Sequence, residues 1–283
     1  MQHNMTNFDI DKIVNYLKPL CGHLNELYNW NANLTALIPL QILTQEMVDE
    51  LNSKSFYEKE ITLKAILRPH LIDAHTNDTI LFEKLTMWII KEWGGIKVAN
   101  EESTKLLIQE FLKNRVAKFD RIASISKVAA YMFPEECIIY DSRVAYSLNW
   151  ILLSQNAGHK FFPIPEGRNS KMSAFNMDTL IRLKYVHKYV APDKTSLSNK
   201  KYISKIDSEL YISKERAYQT LNCLIKEIAK RLWVGQKEKC DQLFFTEMLL
   251  FSITDREVFL DITKHFSEDP YTSHQRLIEL SFQ

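Results

Sequence analysis

The sequence predicts an all-α fold, and two observations carry that prediction. The 283 residues include only six glycines and eight prolines, too few for the many tight turns that a β-rich fold requires. Apolar residues also recur at helical spacing along most of the chain. With 46% hydrophobic and 25% charged residues, the composition is that of a soluble globular protein that is large enough to bury a substantial core.

Five helices are predicted in the first hundred residues. Apolar residues follow a helical pattern from Ile10 until Pro19 interrupts it, and a shorter run follows. Thr44 opens a third helix whose first turns are acidic, which the helix dipole favours. Residues 56–93 hold two more helices, and Gly94 is a strong signal for the end of the second.

The last of these helices carries two tryptophans, Trp88 and Trp93. Large aromatic side chains on a predicted helix are most simply core or groove-lining residues. Stacking of one of them on a nucleobase is the open alternative.

A long amphipathic helix is predicted from Asn100. Its expected buried face consists of four apolar residues, Leu106, Leu107, Phe111 and Leu112. The helix leads through Phe119 and Ile122 towards Lys127.

The stretch 126–148 combines a lysine and an aspartate at the starts of two successive helices. Lys127 lies near the start of a short helix that Pro134 ends, and Asp141 opens the next helix. A lysine that faces an aspartate across such a corner suits a nucleophile and its electrostatic partner. The simpler interpretations are that Asp141 only caps its helix and that Lys127 lies in solvent.

This stretch resembles the catalytic core of the helix-hairpin-helix DNA glycosylases, and most closely the 8-oxoguanine branch in its archaeal form. The family pattern is close to D-x-R-V-A-x-x-L, which stands here as Asp141, Arg143, Val144, Ala145 and Leu148. The resemblance implies a glycosylase-like helical fold with a central cleft. It also implies that Lys127 is the catalytic nucleophile and Asp141 its partner.

The same resemblance implies a layout for the whole chain. Residues 1–283 would form one glycosylase-like helical unit, with the helix-hairpin-helix core at about 101–155 and a basic insertion at about 158–205. The long helix from Asn100 would be the first arm of the helix-hairpin-helix, and its hairpin would be I-A-S-I-S at residues 122–126. Ser124 and Ser126 there occupy the positions that contact a DNA phosphate in the family. Arg143 is a further candidate for a backbone phosphate, with a structural ion pair as the alternative.

Positive charge is concentrated in one segment. The net charge of the chain is only +1, but residues 158–205 contain ten Lys and Arg against three acids. Such a local excess favours an anion-binding face, and Lys160, Arg168 and Lys171 are its candidate nucleic-acid contacts. The expected partner is damaged duplex DNA. A solvated insertion whose lysines bind nothing in particular is an equally simple interpretation.

A candidate base-binding pair lies near the C-terminus. Asp241 and Phe245 are four residues apart and would share one face of a helix. In the archaeal 8-oxoguanine glycosylases, an aspartate followed four residues later by an aromatic contacts the damaged base, and this pair resembles it. A surface acid beside a core phenylalanine is the alternative.

Several classes of protein are not expected. The four cysteines form no C-x-x-C pair, the eight histidines show no H-E-x-x-H spacing, and no Gly-rich nucleotide loop is present, so we expect no metal and no cofactor. No apolar run approaches the roughly 18 residues of a membrane span, and the N-terminus lacks signal-peptide features. A cytoplasmic protein is predicted.

The expected function is therefore that of a DNA glycosylase with AP lyase activity, which excises an oxidised purine, 8-oxoguanine, through a lysine Schiff base. One alternative is a non-catalytic nucleic-acid or nucleotide-binding protein on the same fold, for example with a protein partner in a bacterial defence operon. Another alternative is a helical scaffold that binds a protein partner through its apolar faces.

Overall fold

The computed structural model describes residues 7–166, 169–198 and 209–267. All regular structure in these ranges is helical, apart from two isolated bridges that join Phe8 to Gly158 and Phe161 to Tyr211. The predicted all-α class is confirmed. Across the same ranges, no helix combines the length and the apolar character that crossing a lipid bilayer requires.

Fourteen α-helices are present in the described part of the chain, with short 3₁₀ and π turns between some of them. They are α1 (Ile10–Leu17), α2 (Leu24–Leu27), α3 (Gln45–Ser53), α4 (Phe56–Asn77), α5 (Thr79–Trp88), α6 (Glu101–Asn114), α7 (Ile122–Met132), α8 (Ser142–Ser154), α9 (Ser170–Ala174), α10 (Met177–Lys184), α11 (Lys214–Leu232), α12 (Lys237–Asp241), α13 (Phe244–Ile253) and α14 (Phe259–Ser267).

The buried apolar side chains form two clusters. The larger draws mainly on α1, α8, α11 and α13, and the smaller on α3, α4 and α5. Helix α7 contributes to both, because Ile125 and Ala129 belong to the larger cluster while Val128 and Tyr131 belong to the smaller. Lys127, on the same helix, therefore lies at the boundary between the two clusters.

The corner between α7 and α8 is held by hydrogen bonds on both sides. Helix α7 ends at Met132, two residues before Pro134, as the sequence predicts. The Tyr140 amide donates to Ser126 Oγ at 2.9 Å, and the Leu243 amide donates to the Pro134 carbonyl at 2.8 Å. The first contact fixes the position at which α8 begins relative to α7, and the second joins the corner to the start of α13.

The predicted buried face of α6 is partly wrong. Leu106 is 65% exposed, whereas the residues buried on α6 are Thr104, Ile108 and Phe111. Residues two apart point in nearly opposite directions on an α-helix, so burial of Ile108 places Leu106 towards solvent. Phe111 is buried as predicted, and Leu107 and Leu112 are half-buried against the larger apolar cluster.

The predicted hairpin at 122–126 is also displaced. The chain reverses at residues 115–121, where Arg115 adopts a left-handed conformation with φ of 60° and Phe119–Arg121 forms a 3₁₀ turn. Ile122 already begins α7, so both candidate serines lie in the first turns of a helix rather than in a loop. Because I-A-S-I-S contains no glycine, nothing in it favours an open loop over helix.

Candidate active site

A cavity of about 460 Å³ opens at the boundary between the two apolar clusters. It is lined from α4, α7, α8 and α13 and from the turn that follows α5. Both residues of the predicted lysine–aspartate pair line it. The charged side chains of the lining include Lys64, Lys127, Asp141, Arg143 and Glu247.

Lys127 is buried and faces Asp141. The residue is only 5% exposed, and its Nζ lies 3.8 Å from Asp141 Oδ2 and 5.9 Å from the centroid of the Trp93 ring. Gly94 makes room for this side chain, since a Cβ at residue 94 would lie 2.7 Å from both Cδ and Cε of Lys127. The stop signal at Gly94 thus coincides with a close approach that only glycine permits.

Burial lowers the pKa of the Lys127 ammonium below its usual value of 10.5. The carboxylates of Asp141 and Glu247 act in the opposite direction, and the nearby Lys64 ammonium lowers the pKa further. Desolvation is the largest of these effects, so a larger fraction of Lys127 carries a free lone pair at neutral pH than for a lysine in water. A neutral amine is the form that attacks carbon.

Asp141 fills both of the roles considered for it. Its Oδ1 accepts a hydrogen bond from the Arg143 amide at 2.8 Å and so caps α8, while Oδ2 faces Lys127. The two carboxylate oxygens divide capping and charge pairing between them. The cap also fixes the carboxylate in place, which leaves Oδ2 aimed at the amine.

Arg143 lies on the rim of the cavity in a structural ion pair. Its guanidinium is 3.2 Å from Asp255 Oδ2 and lies over the Phe251 ring at 4.7 Å. Lys171 Nζ donates to the Asp255 carbonyl at 2.7 Å, and the Asn169 amide donates to Asp255 Oδ1 at 2.6 Å. Asp255 thus joins α8, α9 and the π turn Thr254–Val258 at this rim.

The remaining candidate nucleic-acid contacts are dispersed. Ser126 is fully buried and its hydroxyl accepts the Tyr140 amide, and Ser124 is 7% exposed, so the predicted phosphate contacts of these serines are not available in this structure. Lys160 lines a separate cavity of about 720 Å³, which also contains Lys214 and Arg216. Arg168 lies outside the described residues.

The structure does not bring Asp241 and Phe245 together on one helical face. Asp241 is the last residue of α12 and is exposed, and the chain turns at Gln242 and Leu243 before α13 begins. Phe245 is 2% exposed and packs on Phe244 with ring centroids 4.4 Å apart. Neither residue lines the cavity that contains Lys127, so the shared-face prediction is wrong.

A different acid and aromatic, four residues apart on α13, do line the cavity. They are Glu247 and Phe251. Glu247 is 4% exposed, its Oε2 has no hydrogen-bond partner in the described structure, and burial raises its pKa to about 8. The signal in the sequence is an acid inside the apolar run F-F-T-E-M-L-L-F, because an unpaired acid is rarely buried without a function.

A second buried lysine lines the cavity from α4. Lys64 Nζ lies 3.1 Å from Glu60 Oε1 and over the Tyr131 ring at 4.1 Å. The carboxylate of Glu60 accepts the Trp93 indole N–H at 2.9 Å and the Tyr131 hydroxyl at 3.2 Å. The sequence contains the signal for this pair too, since both charges fall on the buried stripe of α4 that continues through Leu63, Leu67 and Leu71.

Aromatic side chains form much of the cavity wall. Trp30 meets Phe251 edge to face with centroids 6.0 Å apart, and its indole N–H donates to the Trp93 carbonyl at 2.9 Å. Trp93 lies in the π turn Ile89–Trp93 that extends α5. The groove-lining interpretation of Trp93 is confirmed, whereas Trp88 does not line this cavity. Planar apolar walls with a few fixed charges suit a flat heteroaromatic ligand.

No group of three or more His, Cys, Asp and Glu side chains suited to a metal ion occurs within residues 7–166, 169–198 and 209–267. Comparison of the chain with protein-family models, with curated proteins and with solved structures gave no match.

Proposed function

We propose that this chain is a DNA glycosylase with AP lyase activity that excises an oxidised purine, 8-oxoguanine, on a helix-hairpin-helix glycosylase-like fold. One observation carries the proposal: a buried lysine of lowered pKa, Lys127, faces Asp141 in a cavity with aromatic walls. The volume of about 460 Å³ lies within the range of small-ligand pockets. The type of reaction is inferred from the resemblance of the surrounding sequence to the helix-hairpin-helix DNA glycosylases.

The chemistry would begin at Lys127 Nζ. Its lone pair attacks C1′ of a flipped nucleotide while the bond from C1′ to the base nitrogen breaks, and the base leaves with the bonding electrons and takes up a proton. Nζ then loses a proton to the adjacent Asp141 Oδ2. The nitrogen lone pair next forms a C1′=N bond as the C1′–O4′ bond breaks, and O4′ takes up the proton from Asp141, which leaves an open sugar and a protonated Schiff base. Loss of a C2′ proton then breaks the C3′–O bond to the phosphate and cleaves the strand.

Asp141 has a second role in this scheme. Positive charge develops on the sugar as the base departs, and a fixed carboxylate beside C1′ stabilises that charge. Because Asp141 is held by its cap to the Arg143 amide, the carboxylate need not reorganise during the reaction. Preorganisation of this kind supplies a large share of many enzymatic rate enhancements.

The base would occupy the aromatic part of the cavity. Phe251 and the two tryptophans Trp30 and Trp93 provide faces and edges for an extruded purine, and Glu247 provides a carboxyl group for its polar edge. The acid followed four residues later by an aromatic, which the resemblance leads one to expect, is present here as Glu247 and Phe251. We therefore assign the base-binding role to this pair in place of Asp241 and Phe245.

Damaged duplex DNA is the proposed partner. Lys160, Lys171 and Arg143 remain the candidate contacts for backbone phosphates, although Arg143 and Lys171 would have to share their present contacts with Asp255. Localisation in the cytoplasm belongs to the same proposal.

Borohydride trapping tests the enzyme class and the nucleophile together. Reduction converts a Schiff base into a stable amine, so a labelled duplex containing 8-oxoguanine should become covalently attached to the wild-type protein, and an undamaged duplex should not. Lys127→Gln should abolish both the covalent band and base release. Asp141→Asn should slow base release by about 10²-fold or more, the usual effect of removing a proton acceptor, while DNA binding is retained.

Lys91→Gln is the matched control, because Lys91 lies in the same π turn as Trp93 and pairs with Glu101 of α6 but does not line the cavity. This variant should trap DNA as the wild type does. Absence of a band and of base release from folded wild-type protein would reject the glycosylase proposal. DNA binding that survives Lys127→Gln would then identify a binding protein on this fold.

A further inference from the structure

Two residues that line the same cavity each carry a buried polar atom without a hydrogen-bond partner. In the described part of the chain, three buried side-chain atoms lack a hydrogen bond, and two of them are Lys64 Nζ and Glu247 Oε2. Both residues line the cavity that contains Lys127. Leaving a buried donor or acceptor unpaired is costly, so two such atoms in one cavity point to a ligand that completes them.

The unpartnered Lys64 Nζ can form a hydrogen bond only with an acceptor. An ammonium group has three donors and no lone pair, and the groups around it are the faces of Tyr131, Trp93 and Phe244 at 4.1, 5.1 and 5.5 Å. Glu60 balances its charge at 3.1 Å but without hydrogen-bond geometry. Both Glu60 oxygens already accept hydrogen bonds, from Trp93 and Tyr131. Lys64 therefore still has donors available for a ligand.

The aromatic faces around the amine also hold it in place. Cation–π contacts on three sides fix the direction of Lys64 more firmly than a solvated lysine would be fixed. A fixed donor can distinguish an acceptor from a donor at one position of a ligand, whereas a mobile one cannot.

We propose that Lys64 determines which base the cavity accepts, by donating a hydrogen bond to an exocyclic carbonyl oxygen of the flipped base. The inference rests on the proposed function, since it concerns the base that Lys127 releases. A guanine-type base presents a 6-oxo acceptor, whereas an adenine-type base presents a 6-amino donor at the same position. The amino group would face an ammonium donor, and both would stay unpaired. The cavity therefore selects oxidised guanine over oxidised adenine.

Glu247 supplies the second unpartnered atom, a hydrogen-bond acceptor for the same base. Its carboxyl Oε2 is available to an N–H of the same base edge, which in guanine-type bases carries N1–H and the 2-amino group. An adenine-type base has no hydrogen on N1 and no 6-oxo group. It therefore cannot donate from N1 to Glu247 Oε2 or accept from Lys64 Nζ at position 6.

The test must separate the ammonium of Lys64 from the integrity of the fold. Removing Lys64 alone would leave the buried Glu60 carboxylate without its cation, which destabilises proteins strongly. The informative variant is therefore the double substitution Glu60→Gln with Lys64→Met, compared with Glu60→Gln alone. Glutamine can still accept from Trp93 or Tyr131. Lys59→Met is the matched lysine control, because Lys59 lies on the same helix and is also buried but does not line the cavity.

Single-turnover release of 8-oxoguanine and of 8-oxoadenine from otherwise identical duplexes gives the first readout. Wild type, Glu60→Gln and Lys59→Met should prefer 8-oxoguanine. In the double variant the ratio of the two rates should fall at least tenfold relative to Glu60→Gln. An unchanged ratio would overturn the role of Lys64 while leaving the glycosylase intact.

Quenching of tryptophan fluorescence by the free nucleosides gives a second readout that needs no chemistry. Wild type should bind 8-oxo-2′-deoxyguanosine more tightly than 8-oxo-2′-deoxyadenosine, and the double variant should lose that difference. If wild type releases no base but shows this Lys64-dependent preference, the glycosylase proposal fails and the inference about Lys64 holds. Equal binding of both nucleosides by wild type would overturn the inference.

Discussion

Glu247 shows how a single buried group links stability to pH. Its pKa in the folded protein is about 8, raised mainly by burial from a usual value of 4.5. A group with a raised folded pKa favours the folded state below the unfolded pKa, and this contribution is lost as the pH rises through the folded value. Between about pH 4.5 and 8 the unfolded chain therefore releases a proton that the folded chain still retains.

Glu247→Gln should therefore stabilise the protein at high pH. At pH 5 the variant and the wild type should melt at similar temperatures, and by pH 9 the variant should melt at least 2–4 °C higher, which corresponds to about 1 kcal/mol or more. Calorimetry over this range checks the effect. Glu46→Gln is the contrasting variant: because the Thr44 hydroxyl lowers the pKa of Glu46, its effect on melting should be independent of pH between pH 5 and 9 and should change only below about pH 4.5. A difference that is independent of pH would contradict the assignment of a raised pKa to Glu247.

At the scale of the residue, the local sequence pattern is enough to predict part of the site. The spacing of Lys127, Pro134 and Asp141 predicts a lysine and an aspartate at a helix corner, and the structure has them there. Glu247 and Lys64 were not predicted, because their importance depends on burial by distant parts of the chain. Charges on apolar stripes were the available signal, and they could have been followed in α4 and α13.

At the scale of the element, Gly94 sets the path of the Lys127 side chain across the end of the π turn. Gly94→Ala should force Lys127 away from Asp141, because the added Cβ would lie 2.7 Å from two carbons of the lysine and from the Ile90 carbonyl oxygen. We expect loss of Schiff-base trapping and a destabilisation of about 1–3 kcal/mol, typical of overpacking. Denaturant unfolding and the trapping assay measure the two effects.

Gly22→Ala is the control for this prediction, because a Cβ at residue 22 would meet nothing within 4 Å. It should leave both trapping and stability near the wild-type values. Full trapping by Gly94→Ala would show that the close approach to Lys127 does not position the amine.

Most helices were predictable, whereas three details of their boundaries and faces were not. Caps and stop signals give the starts of α3 and α8 and the end of α7. The break between α12 and α13 has no glycine or proline to mark it, which is why Asp241 and Phe245 were placed on one helix. The face of α6 and the turn before α7 depend on tertiary packing, which helical periodicity alone does not determine.

At the scale of the whole molecule, the proposed DNA binding would depend on where the excess positive charge lies. Lys160→Ala should weaken binding to any duplex by a similar factor and should reduce the slope of log affinity against log salt by about one, the effect of losing one phosphate contact. Filter binding at several salt concentrations measures the slope. Lys226→Ala removes the same charge outside residues 158–205 and should leave the slope unchanged; an equal effect of both variants would refute a localised DNA-binding face.

The cavity itself was beyond what periodicity could predict. Its lining comes from residues as far apart in the sequence as Trp30, Trp93, Asp141 and Phe251, and only the packing of the two apolar clusters brings them together. The sequence therefore predicts the helical class and the central pair, but the shape of the site follows from contacts between distant helices.

The unpartnered atoms of Lys64 and Glu247 have a consequence for protein engineering. Selection maintains function above a stability threshold, so replacement of the buried, unpaired Glu247 carboxyl should raise heat resistance, whereas replacement of Lys64 should do so only together with its partner Glu60. A library of random variants selected only for survival after heating should therefore accumulate substitutions around this cavity. The positions of the selected substitutions would then identify the binding site in an experiment that contains no substrate.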